Sequence, residues 1–245
     1  MKHVIALNGS PRTNGRTVEL IDATAETLKD FGVEVETIHL RKLDLRVCAG
    51  CNSCVTHDQR CVIKDELHPL IEKIKAADGL MLAAPVYMWS TSTWMKIFID
   101  RLPSYFHRPD DDMIGKPVLT LATAAGPMGG LSTKYMDKFA EKIGMWPCGS
   151  IFQMASKPAP VSEGKVKRFV KEMARSRESR MPNLSKMFNF MIQQGSAMTY
   201  LPEDAAYFTA RGWDKGFWYH KAPLNPLNVA VVGMAKTLAG LVMKQ

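Results

Sequence analysis

The chain alternates short apolar runs with segments of helical periodicity, and most of the runs end in a polar or glycine-bearing loop. The runs are His3–Leu7, Leu80–Ala84, Pro117–Thr123 and Gly149–Met154, while Val33–Leu40 alternates apolar with polar residues and reads as a further strand. Between them, Val18–Leu28, Asp65–Ala76, Thr93–Leu102 and Thr133–Ile143 carry apolar residues at three- and four-residue spacing. A short apolar run bounded by turn residues reads as a strand buried on both faces. Strand and helix in alternation predict a doubly wound α/β unit over residues 1–155, with a five-stranded parallel sheet and helices on both faces. Ligands of such sheets sit beyond the carboxyl ends of the strands. The loops at 8–17, 85–92 and 124–130 are therefore predicted to share one site.

The first of these loops, Asn8-Gly9-Ser10-Pro11-Arg12-Thr13-Asn14-Gly15-Arg16-Thr17, joins a strand to a helix. Free N–H groups and the positive end of the helix dipole favour an anion there. The hydroxyls of Ser10, Thr13 and Thr17, the Asn14 amide and the Arg12 guanidinium add donors. Five residues separate Gly9 from Gly15 and Arg16 follows, so the loop is not a Walker A sequence. It also lacks the G-x-G-x-x-G dinucleotide fingerprint and the cysteine of a phosphatase loop. What remains is a loop for a terminal phosphate, with a plain βα turn as the other reading.

Between Val47 and Val62 lie Cys48, Cys51, Cys54 and Cys61, four of the chain's five cysteines. No exported-protein signal precedes them, which predicts a cytoplasmic protein with reduced thiols and metal or redox chemistry. Four thiolates suit a 4Fe–4S cluster or zinc, and free thiols are the third reading. Crowding three cysteines into seven residues is closer to cluster-binding runs than to paired zinc ribbons. His57, inside the loop, reads as a surface residue. Cys148 has no partner in sequence and reads as a small buried side chain.

The order G-S-P-R-x-x-G-x-T, A-A-D-G, P-V-Y and K-I-F-I-D-R resembles NAD(P)H-dependent FMN reductases of the flavodoxin-like superfamily. The C-x2-C-x2-C-x6-C loop resembles the iron–sulfur flavoproteins within it. The resemblance implies FMN, with its phosphate on Ser10, Arg12, Thr13, Asn14, Gly15 and Thr17. The isoalloxazine would lie between Pro85, Val86, Tyr87, Met88, Trp89 and Ser90 on one side and Thr123, Ala124, Gly126 and Gly129 on the other. An apolar, planar ring with a polar edge asks for such walls and backbone donors; ordinary core packing is the other reading of Tyr87 and Trp89. Cys48, Cys51, Cys54 and Cys61 would be cluster ligands. The implied reaction moves electrons between NAD(P)H or a ferredoxin-like carrier and a small quinone-like or protein acceptor. A metal-free FMN or quinone reductase is one alternative, and a metal-containing binding module the other. No acid–base dyad is visible, so catalytic residues stay unassigned. Lys96, Asp100 and Arg101 read as a helix-surface ion pair or subunit contact. A homodimer or higher homo-oligomer is expected from the resemblance.

Residues 156–245 read as a mostly helical extension. From Glu163 to Met187 it carries eight basic residues against three acidic ones and supplies most of the net charge of +8. That pattern fits a solvated helix face, or a grip on an acidic partner. No nucleic-acid module accompanies it, so nucleic acid is not expected. Tyr200–His220 is aromatic-rich and is open to two roles, capping the flavin pocket or packing across a dimer. A last helix begins at Asn225-Pro226, with Ala230, Val231, Met234, Leu238, Leu241 and Val242 on one stripe. It is interrupted by Lys236 and predicts no transmembrane span; body or subunit packing and peripheral membrane contact are its two readings.

Overall fold

The structure is a computed structural model that describes residues 1–57 and 60–242, with side chains described up to Leu238. Five strands form one parallel sheet in the order β2-β1-β3-β4-β5: β1 Lys2–Asn8, β2 Val33–His39, β3 Gly79–Pro85, β4 Pro117–Ala124 and β5 Trp146–Met154. This is the flavodoxin-like α/β fold. The helices are α1 Arg16–Lys29, α2 Ser53–Thr56, α3 Leu67–Ala76, α4 Thr93–Asp100, α5 Pro103–His107, α6 Gly129–Lys142, α7 Glu163–Ala174, α8 Leu184–Tyr200, α9 Pro202–Ala210 and α10 Pro226–Val242.

Side-chain alternation along the strands divides the core. Ile5, Leu7, Leu80, Leu82 and Ala84 face α3, α4 and α6, which contribute Leu70, Ile74, Met95, Phe98 and Met136. Val4, Ala6, Met81, Ala83, Leu119 and Leu121 face Leu20, Ile21 and Leu28 of α1 and Val166, Phe169 and Met173 of α7. The apolar runs of β3 and β4 carry no polar alternation because both their faces are covered. Helix α7 lies past residue 155 yet buries Phe169 fully against the sheet, a contribution of about 1.5–3 kcal/mol.

The extension holds a third core. Phe190, Phe208, Trp213, Trp218 and Tyr219 pack on one another with Ile114. The aromatic stretch therefore forms the interior of the extension, and Trp213, Trp218 and Tyr219 are buried there. Nor is the basic stretch one solvated face. It breaks into α7, a 3-10 turn at Arg177–Ser179 and α8. Arg180 and Lys186 turn inward, Arg180 onto Glu172 at 3.1 Å and Lys186 onto Glu141 at 2.5 Å. Lys165, Lys167, Arg168 and Lys171 stay exposed. On α10 the predicted stripe is exposed at Val231, Met234 and Leu238, while Val232 is buried; the side chains of Leu241 and Val242 lie outside the described residues. No helix among the described residues is long and apolar enough to cross a membrane.

Candidate functional site

Parallel register brings the carboxyl ends of β1, β3 and β4 together: Asn8 pairs with Ala83, and Pro85 with Thr123. Two bonds carry the ladder into the loops, Gly9 N–H to the Ala83 carbonyl and Val86 N–H to the Thr123 carbonyl, each 2.8 Å. Beyond them opens a cleft of about 360 Å³ lined by Ser10, Arg12, Gly15, Arg16, Thr17, Pro85, Val86, Tyr87, Thr123, Ala124, Ala125 and Ala155. Its charged lining residues are both arginines, which makes it a cleft for an anion.

The first loop is held from behind. Asn8 Oδ1 accepts from Ser10 N–H at 2.9 Å, and Ser10 Oγ accepts from Arg12 N–H at 3.1 Å. Asn8 Nδ2 lies 2.9 Å from His39 Nδ1. Burial, then Lys42, hold that imidazole below its usual range, which suits an accepting nitrogen. Thr17 and Thr123 join their hydroxyls at 2.8 Å and so tie this loop to the one after β4. Gly9 is required by close approach: a Cβ there would stand 2.7 Å from Met95 Cβ. At Gly15 the first turn of α1 begins without a side-chain cap, which leaves N–H groups for a ligand.

Of the predicted cofactor residues, Ser10, Arg12, Gly15, Thr17, Pro85, Val86, Tyr87, Thr123 and Ala124 line this cleft. Thr13, Asn14, Met88, Trp89, Ser90, Gly126 and Gly129 do not line it. Met88 and Trp89 form the two-residue tip of a hairpin closed by reciprocal 3.0 Å bonds between Tyr87 and Ser90. Both have positive φ, 44° and 65°, a conformation that costs non-glycine residues about 1–2 kcal/mol each. Tyr87, Met88 and Trp89 are 44, 89 and 65% exposed, so core packing does not explain them. Thr91 in the same loop is buried and its hydroxyl has no partner among the described residues. Gly129 belongs to α6, four residues before the predicted helix start, and a Cβ there would overlap Phe152 Cδ2 at 1.7 Å. Its missing side chain serves helix–sheet packing.

The cysteine loop is anchored by two buried arginines. Arg101, expected on a helix surface, has a side chain 1% exposed and meets Asp65 at 2.7 Å. It also donates to the Arg46 carbonyl at 2.7 Å and, through Nε, to Cys61 Sγ at 3.2 Å. Lys96 and Asp100 do form the expected exposed pair. Arg108 donates to the carbonyls of Val55 at 2.6 Å and His57 at 3.0 Å, and to Asp204 of α9 at 2.6 Å. Asp204 also meets His107 Nδ1 at 2.9 Å and is fully buried. Asn8 was legible as a turn residue after a strand; Arg101 was legible as the end of K-I-F-I-D-R but not in its buried role, and Arg108 and Asp204 carried no sequence signal.

All five cysteines are free: Cys48 and Cys51 exposed, Cys61 half-buried, Cys54 and Cys148 buried. Burial, then the charges of Cys61, Cys48 and Cys51, push the Cys54 thiol up. The Ser53 hydroxyl and N–H pull the Cys51 thiol down. Among the described residues no three His, Cys, Asp or Glu side chains group closely enough to hold a metal ion. His57 is exposed, as expected. Burial pushes the Cys148 thiol up to about 12.

Residues 2–158 match the NADPH-dependent FMN reductase family over well more than half of the chain. The chain belongs to that family. As a member it is an FMN-dependent oxidoreductase. Among its relatives is an iron–sulfur flavoprotein of Archaeoglobus fulgidus, 29% identical over 165 residues, 67% of this chain and 74% of that one. A second, from Methanocaldococcus jannaschii, is 37% identical over 98 residues, 40% of this chain and half of that one's length. An NADH:FMN oxidoreductase in its apo form shares the fold, with a TM-score of 0.54 and 21% identity over 71% of this reductase and 89% of that structure.

Proposed function

We propose that this reductase binds FMN in the cleft at the carboxyl edge of the sheet and passes electrons between NAD(P)H or a reduced carrier and a small quinone-like or protein acceptor. The observation that carries the reading is the convergence of Ser10, Arg12, Thr17, Pro85, Tyr87 and Thr123 on one cleft whose charges are both positive. The residues fit the cofactor. Arg12, Arg16, the Ser10 hydroxyl and the uncapped start of α1 offer donors to a phosphate, with Thr13 and Asn14 beside them. Pro85, Val86 and Tyr87 offer an apolar wall with backbone N–H groups, and Met88, Trp89 and Ser90 extend it outward. Ala124 and Gly126 stand opposite. When bound, FMN would supply the redox chemistry, taking two electrons as one hydride and releasing them singly or together. The chain's own part is to hold the phosphate, flatten the ring against the hairpin and exclude water from its inner edge.

The donor set of the cysteine loop fits a 4Fe–4S cluster, as the names of its relatives suggest. Four free thiols lie near enough that Cys54 feels the charge of the other three. In a cluster each thiolate takes a different iron, whereas zinc draws all four to about 2.3 Å from one point. Three cysteines within seven residues stand closer to cluster-binding runs than to paired zinc ribbons, with Cys48, Cys51, Cys54 and Cys61 as the cluster's ligands. The exposure of Cys48 and Cys51 supports a second reading, an FMN reductase with free thiols and no metal. Unpaired cysteines suit a reducing compartment such as the cytoplasm. Residues 1–155 form the FMN-binding unit, with α7 as its last covering helix and the remainder as the extension. The exposed hairpin tip supports assembly into a homodimer or higher oligomer.

Anaerobic purification with flavin, iron and sulfide analysis tests both halves. Flavin released on denaturation, and bleached by NAD(P)H before it, supports the FMN site; repeated flavin-refractory preparations refute it. About four irons and four sulfides per chain support the cluster, and metal-free protein with active FMN gives the second reading.

A further inference from the structure

Arg101 sits where the two ends of the cysteine loop meet. Its guanidinium binds the carbonyl of Arg46, just before the loop, and Asp65, just after it. Asp65 Oδ2 accepts in turn from Arg46 N–H at 3.0 Å, and Oδ1 from Leu67 N–H at 3.2 Å. The side chains of Arg101 and Asp65 are 1% and 0% exposed, so water does not replace these bonds. Of the two guanidinium N–H groups left over, the one on Nε is directed at Cys61 Sγ, 3.2 Å away. Cys61 is fixed on its other side as well, because its carbonyl lies 3.0 Å from His68 Nε2.

We propose that Arg101 is a positioning residue for the iron–sulfur centre: it closes the neck of the loop through Asp65 and the Arg46 carbonyl, and it hydrogen-bonds the ligating sulfur of Cys61. The inference rests on the cluster reading above. Two consequences follow from the bond. A donor on a ligating sulfur stabilises the electron-rich, reduced form and so raises the reduction potential. A guanidinium held by a buried carboxylate also presents Cys61 in one direction before any iron arrives, which slows loss of iron afterwards. A lysine keeps the charge but not the planar fork that reaches Asp65, Arg46 and Cys61 together.

The test compares wild-type protein with R101K and with the paired variant R101Q/D65N, which leaves no buried charge unpaired. Each is reconstituted anaerobically with iron and sulfide. The midpoint potential of the iron–sulfur centre, the rate of iron release to a chelator and the FMN content are then measured. The expected result is a lower midpoint potential and about 10–100-fold faster iron release in the paired variant, with a smaller change in R101K and FMN content equal to wild type. An unchanged potential and release rate in the paired variant overturns the proposal. Should the paired variant not fold, R101K decides in the same way: altered potential at full FMN content supports, and wild-type values overturn. Wild-type protein that takes up no iron overturns the cluster reading and this proposal together; failure of the variants alone overturns only the role of Arg101.

Discussion

Replacing Asp204 by asparagine removes one charge of the buried link between the extension and the cysteine loop. Asp204 is fully buried, and Arg108, 7% exposed in its side chain, loses this carboxylate partner while remaining charged. Breaking one side of a buried pair costs about 3–5 kcal/mol. A domain of this kind is stable by about 5–15 kcal/mol, so D204N should fold but with a clearly lower urea midpoint. The same arginine holds the Val55 and His57 carbonyls, one and three residues after the buried Cys54. Alkylation of Cys54, mapped by mass spectrometry under native conditions, should therefore accelerate. The neutral pair R108M/D204L separates the two effects. It should recover most of the global stability, since no buried charge is stranded. Alkylation of Cys54 should stay fast, because the two carbonyls have lost their donor. A D204N protein with wild-type urea midpoint and wild-type Cys54 alkylation would refute the reasoning, as would a neutral pair in which Cys54 is protected again.

Gly129→Ala should destabilise by about 1–3 kcal/mol through overlap with Phe152, read as a lower thermal midpoint that Gly129→Ala/Phe152→Leu partly restores. Met88→Asn/Trp89→Gly gives the hairpin tip residues that accept positive φ; stability should rise by about 1 kcal/mol while FMN affinity falls about tenfold, from loss of ring contact. Equal FMN affinity in that variant removes the hairpin from the flavin site. Asp137 is held above the usual carboxylate range by burial, against hydrogen bonds from Ser150 at 2.7 Å and Thr120 at 3.0 Å. A raised carboxylate contributes stability below its unfolded value, near 3.8, and that contribution is lost as pH rises through the folded value. Asp137→Asn, which can accept from one hydroxyl and donate to the other, should thus stabilise the protein at pH 7 and flatten the pH dependence of its urea midpoint above pH 4.

The residues at the edge of the cleft were largely legible in the sequence, although the bonds between them were not. Ser10, Pro85 and Thr123 follow or end an apolar run and Thr17 opens the helix after the first loop, and a parallel sheet brings such positions to one edge whatever the details of packing. Gly129 was legible as a glycine but not in its purpose, since a loop facing a ligand and a helix pressed on Phe152 ask for the same residue. Tyr87 and Trp89 were equally ambiguous, because aromatic rings belong to cores and to binding walls alike. Only the exposed hairpin tip separates the two.

By itself the sequence determined the order of strands and helices, the two-faced burial of β3 and β4 and the place of the cleft, because periodicity and turn chemistry act between near neighbours in the chain. Tertiary structure alone decided which charges are partners. Arg101 meets Asp65 across 36 residues and Arg108 meets Asp204 across 96. An arginine facing water and one buried against a distant carboxylate have the same local sequence, and only folding removes the water that makes them differ.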